Sequence, residues 1–153
     1  THLILNEKST NSEIKLLEIK LTPNTGNYIS VESGIDIMVK FKNNILNKTL
    51  TSSIIIINSE EIKLFEAPCF FAPDQDSKKG TYTINGVIPP YLLNSGDYKI
   101  MLIIGEAQKH IVYSNEDLLL FNIEDTPFNK GSNLNRPMGI LRPKIEWQTK
   151  HEI

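Results

Sequence analysis

Apolar and polar residues alternate along most of this chain with a period of two, the spacing that sends successive side chains to opposite faces of a β-strand. Gly34 to Lys42 shows it most plainly: Ile35, Ile37, Val39 and Phe41 face one way, and Asp36, Met38, Lys40 and Lys42 the other. Leu50 to Asn58 contains Ile54-Ile55-Ile56-Ile57, a β-branched run that suits a strand covered on both faces. From Thr81 to Ile88, Tyr82, Ile84, Gly86 and Ile88 oppose Thr81, Thr83, Asn85 and Val87, and Gly86 marks a bulge or a close backbone approach. Asp117 to Glu124 sets Leu119, Phe121 and Ile123 against Leu118, Leu120 and Asn122. Ser12 to Leu21 fits a helix or a strand by itself, and its β-rich surroundings decide for strand. Ile62 to Phe65 reads as a short strand, after which Phe70-Phe71-Ala72-Pro73 leads into a polar loop.

The organising stretch is Ile88 to Ile104. Pro89 and Pro90 fix φ and remove two donors, Asn94-Ser95-Gly96-Asp97 supplies turn residues, and Tyr98, Ile100, Leu102 and Ile104 then alternate with Lys99, Met101 and Ile103. About eight short strands separated by turn chemistry predict an all-β fold, an antiparallel β-sandwich of immunoglobulin-like or jelly-roll-like type. The expected organisation is an N-terminal arm over residues 1–11, a sandwich core over 12–125, a polar linker over 126–137 and a C-terminal edge strand over 138–153. Pro143 would break a central ladder, so the last strand belongs on an edge. Behind a polar linker it is placed to pair with a second copy of the chain.

At 153 residues the chain is long enough for one sizeable core. Cys69 is the only cysteine, so no intramolecular disulfide forms, and a reducing, intracellular home is the simpler expectation. The start at Thr1 suggests a piece of a longer protein. A net charge of −2, with both signs interspersed, gives no footprint for nucleic acid or an anionic membrane. No apolar run reaches the length of about 20 residues that spans a bilayer.

Candidate chemistry is sparse. Phosphate-loop, nucleophile-elbow, HExxH and CxxC patterns are absent, and neither a cofactor nor a catalytic residue is expected. His2, His110 and His151 lie too far apart in sequence to suggest a metal cluster, and Asp74-Gln75-Asp76-Ser77 reads as a solvated loop rather than a Ca²⁺ site. The couplets Glu60-Glu61 and Glu116-Asp117 point to opposite strand faces and make no acid pair by themselves. Trp147 is expected as a core or dimer plug, or else as a stacking platform. Met38, Lys40, Lys99, Met101, Leu120 and Asn122, extended by Thr81, Thr83 and Asn85, would mix apolar patches with hydrogen-bonding heads if their strands share a sheet. Such a face suits the CH-rich surfaces and hydroxyl edges of a carbohydrate, and an ordinary solvated sheet face has the same composition. The candidate carbohydrate contacts are Met38, Lys40, Thr83, Asn85, Lys99, Met101 and Asn122.

In order and spacing, Pro90, Leu93, Gly96 and Tyr98, then Leu119-Leu120-Phe121-Asn122-Ile123, then Gly139 to Trp147, resemble the C-terminal domain of Wzt-type ABC transporter subunits. That resemblance covers roughly Ile14 to Trp147. It implies a non-catalytic module that recognises O-antigen-type polysaccharide, often through its non-reducing end. It further implies a homodimer with an exchanged last strand, and partnership with a membrane-spanning exporter subunit and an ATPase domain. The location it implies is cytoplasmic, at the inner face of the inner membrane. The matched residues are fold markers and carry no binding motif. The alternative is a domain that holds two ATPase subunits together and binds no sugar.

Overall fold

The computed structural model describes residues 2–4, 13–106, 110–125 and 136–153. Eight strands, β1 (His2–Ile4), β2 (Ile14–Pro23), β3 (Ile35–Asn43), β4 (Leu50–Asn58), β5 (Lys63–Ala72), β6 (Gly80–Ile88), β7 (Gly96–Glu106) and β8 (His110–Ile123), make up its regular structure. They form two four-stranded antiparallel sheets, ordered β1-β2-β3-β6 and β5-β4-β7-β8. The hairpins β4–β5 and β7–β8 lie in the second sheet, while β6 returns alone to the first, which is an immunoglobulin-like order rather than a jelly roll.

The inward residues of β3, β4 and β7 are those the alternation selects. Ile37, Val39, Phe41, Ile56, Ile100, Leu102 and Ile104 all belong to one buried cluster between the sheets. At one end of it Phe41 meets Phe71 edge-on at 5.0 Å between ring centroids and stacks on Tyr82 at 5.8 Å. The isoleucine run in β4 is covered on both faces: Ile56 lies in the main core, whereas Ile55 and Ile57 join Met101 and Ile103 in a second cluster.

The turn before β7 is held by its own side chains. Tyr98 donates its hydroxyl to the Asn94 carbonyl at 2.6 Å, the corner contact by which immunoglobulin sandwiches fix the entry to the equivalent strand. Asn94, fully buried, also gathers the C-terminal segment: its amide donates to Pro137 O and Gly139 O, both at 2.7 Å, and its Oδ1 accepts from Arg142 at 2.9 Å. Arg142 is buried and reaches Asp125 at 2.9 Å on its other side.

Several expectations change. Residues 2–4, expected as an arm, pair with β2 as an edge strand. β5 runs for ten residues rather than four, because Pro68 sits on an edge strand, where a missing ladder donor is tolerated. β8 starts at His110 rather than Asp117, since a register shift opposite Ile100–Leu102 breaks the alternation that marks a strand in sequence. Met138 to Trp147, expected as a strand, makes a single bridge between Leu141 and Leu93. Trp147 is 84% exposed and no core plug in its own protomer. The linker expected over 126–137 lies outside the described residues up to 135. Among the described residues, no helix is long and apolar enough to cross a membrane.

Candidate carbohydrate-binding face

Strand pairing decides which candidate contacts meet. In the first sheet Met38 stands opposite Asn85 on one side and Lys20 on the other, and Lys40 stands between Thr83 and Glu18. Cross-strand partners share a face, so these residues form adjoining rows on the outer surface of that sheet. A shallow hollow of about 480 Å³ lies over the Lys20–Met38–Asn85 row, lined also by Thr22, Asp36 and Val87 among others, and Lys40 and Thr83 stand in the row beside it. Asp36 is held by Asn24, whose amide donates to its carboxylate at 2.8 Å. The hollow presents a thioether and a valine beside an amide, a hydroxyl, a carboxylate and an ammonium group, the mixture that a sugar ring can use. Lys20, Thr22, Asp36 and Val87 were not among the expected contacts, although alternation places Asp36 with Met38 and Val87 with Asn85.

The other three candidates lie on the second sheet and have structural duties. Lys99 donates to Glu61 at 2.7 Å and to Asp117 at 2.8 Å. Those hydrogen bonds, Asp117's first, push the lysine's pKa up and hold it charged. One acid from each suspected couplet therefore converges, but on an ammonium group that both carboxylates serve as acceptors. Met101 is buried against Ile55 and Ile57, so at this position the outward face of β7 is covered by the protomer's own side chains. Asn122 donates to Asp97 at 2.9 Å and to Gly96 O at 3.3 Å, tying β8 to the start of β7. The condition that these strands share a sheet with β3 is not met.

Two further concavities lie elsewhere among the described residues. A cleft of about 400 Å³ opens between the sheets along edge strands β5 and β6, where Ser52, Ala67, Cys69 and Gly86 leave space beside Ile37, Val39, Ile54 and Ile84. Burial there pushes the Cys69 thiol pKa up, which keeps it protonated and slow as a nucleophile. A trough of about 500 Å³ crosses the outer face of the second sheet.

No group of three or more potential metal ligands converges among the described residues. In the Asp74–Ser77 loop two polar side chains are engaged within the protein: Asp76 accepts from the Asp74 amide at 3.2 Å, and Ser77 donates to Ile45 O at 2.8 Å.

No family model matches this sequence, and no curated protein matches it. Among solved structures, the crystal structure of the C-terminal domain of Wzt superposes with a TM-score of 0.68 at 14% identity, covering 98% of this chain and 88% of that one. This chain therefore has the β-sandwich fold of the Wzt C-terminal domain over nearly its whole length.

Proposed function

We propose that this chain is a non-catalytic carbohydrate-binding domain that recognises O-antigen-type polysaccharide, at its non-reducing end, for export by an ABC transporter. The observation that carries the reading is the pairing of Met38 with Asn85 in the hollow on the first sheet, with the Lys40–Thr83 pair in the adjoining row. The shared fold with the C-terminal domain of Wzt supports the setting. The working partners are the ATPase domain and membrane-spanning exporter subunit of such a transporter, at the cytoplasmic face of the inner membrane. A second copy of the chain is a further partner, reached by exchange of the C-terminal segment. Ile145 and Trp147, both exposed beyond the Asn94 anchor, supply the apolar side chains for that contact. A few hydrogen bonds and one or two apolar contacts give a Kd of micromolar to millimolar order, about −8 to −4 kcal/mol, weak enough to release the polymer.

The test is a titration of the chain with polysaccharide purified from its own source, intact and with the terminal group removed, followed by amide NMR. Saturable shifts of Met38, Lys40, Thr83 and Asn85 that vanish with the terminal group, and that Asn85→Ala weakens without altering Tm, are expected. The exposed Trp147 favours one other reading, a dimerisation domain that binds no sugar. A folded dimer without shifts at millimolar ligand would select it.

A further inference from the structure

We infer that the trough on the second sheet is a separate binding site for an uncharged oligosaccharide segment. Register sets its shape. Thr51 lies opposite Gly105, and Gly105 lies opposite Ile111; one step along, Pro68, Ser53 and Ile103 make the neighbouring row. On β5, Cys69 and Phe71 turn toward the interior, so Phe70 between them turns out, where it is 58% exposed. Ile111, on the opposite outer strand, is 62% exposed. A large apolar side chain thus stands on each outer strand, with threonine and glycine between them. With strands about 4.8 Å apart, three spacings put these walls about 14 Å from each other.

The chemistry of floor and walls is what distinguishes the ligand. The hydroxyls of Thr51 and Ser53 line the floor, and Ser53 donates to Glu66 only at 3.5 Å, a long bond that a ligand hydroxyl would improve upon. Glu66 supplies acceptors and the His110 imidazole a further polar group. An exposed aromatic ring beside hydroxyl and carboxylate groups matches a sugar ring, whose CH face lies against Phe70 and whose hydroxyls reach Thr51, Ser53 and Glu66. Glu66 and Glu106 both line the trough against one imidazole, so a polyanion is repelled and a neutral chain is admitted. Phe70 and Thr51 lie on the opposite sheet from Met38 and Asn85, so this site stands on residues independent of the proposed end-recognition face, although the choice of a glycan as ligand rests on that reading.

The experiment is amide and methyl NMR of the intact chain with maltotriose, cellotriose and mannotriose, with trigalacturonate and trilysine as charged controls. At about 10 mM, a ligand of millimolar Kd comes close to saturation. At least one neutral trisaccharide is expected to shift Thr51, Gly105 and Ile111 saturably, Phe70→Ala to weaken it tenfold or more, and Asn85→Ala to leave it unchanged. Phe70 is exposed, so its truncation leaves the core intact, and an unchanged Tm checks this. Absence of saturable shifts from all three sugars, an undiminished response in Phe70→Ala, or equal shifts from trigalacturonate or trilysine would overturn the assignment. Loss of source-polysaccharide binding in Asn85→Ala reports on the other face, so the two readings fail separately.

Discussion

Asn94→Ala isolates the contact that ties the C-terminal segment to the sandwich. The side chain takes part in four hydrogen bonds, two donated to Pro137 O and Gly139 O and two accepted from the Ser95 amide and Arg142. At about 1 kcal/mol net apiece the sum is about 4 kcal/mol. Part of this is recovered, because the segment around Gly139 is exposed and water can reach its carbonyls. Arg142 recovers less: it is buried, and the substitution leaves its charge with Asp125 as the remaining ion-pair partner described. A loss of about 3 kcal/mol is therefore expected, read as a lower urea midpoint at unchanged m-value. The Arg142 amide, which donates to Leu92 O at 3.0 Å, should also lose its protection from hydrogen exchange. A global change under about 1 kcal/mol with that amide still protected would refute the reasoning. Loss of protection alone would show that the latch secures the segment and not the sandwich.

Three other outcomes follow from single residues. Tyr113 is buried and its hydroxyl has no hydrogen-bond partner among the described residues, so Tyr113→Phe should be neutral or raise stability by up to about 1 kcal/mol, measured by Tm; a clear loss would reveal a partner for that hydroxyl. Burial pushes the Tyr98 pKa up, with Arg136 opposing, so the folded chain holds this proton longer than the unfolded one; stability present below about pH 10 should fall above it. Tyr98→Phe should lower the midpoint near neutrality but flatten that alkaline fall, and an equally steep fall would assign it to other groups. Gly34 has φ +68°, and a Cβ there would lie 3.1 Å from Ile88 O, so Gly34→Ala should cost more than about 1 kcal/mol in urea unfolding.

What the sequence disclosed depended on how local each signal was. β3 and β4 were legible almost to the residue, because one alternates cleanly and the other is a β-branched run bounded by polar turns. β5 was seen only at its start, since Glu66-Ala67-Pro68 has no strand pattern and owes its conformation to pairing with Ser53 to Ile55. The first half of β8 was missed for a related reason: the register shift moves Leu118 and Leu119 together into the core and spoils the period. Which residues share a strand face was readable; which strands are neighbours was not. Met38 meets Asn85 only because β6 crosses back to β3, a pairing between distant segments that no short-range pattern encodes. The second trough was invisible for both reasons, since Phe70 and Ile111 sit on the parts of β5 and β8 that carry no strand pattern in sequence.

The crossing of β6 also sets an order of assembly. β4–β5 and β7–β8 are hairpins whose partners arrive within a few residues of each other, whereas β3 and β6 are separated by two strands and their loops. Chain entropy favours the near pairings, and sheets built on distant ones close slowly. While β6 is still unplaced, β3 has one side paired with β2 and the other bare along its nine residues, with Ile35, Ile37, Val39 and Phe41 on one face. This interval is when the chain is most exposed to sticking to its neighbours, strand to strand. Refolding yield should therefore drop with protein concentration, and pulse-labelled amides of β6 should gain protection after those of β7 and β8.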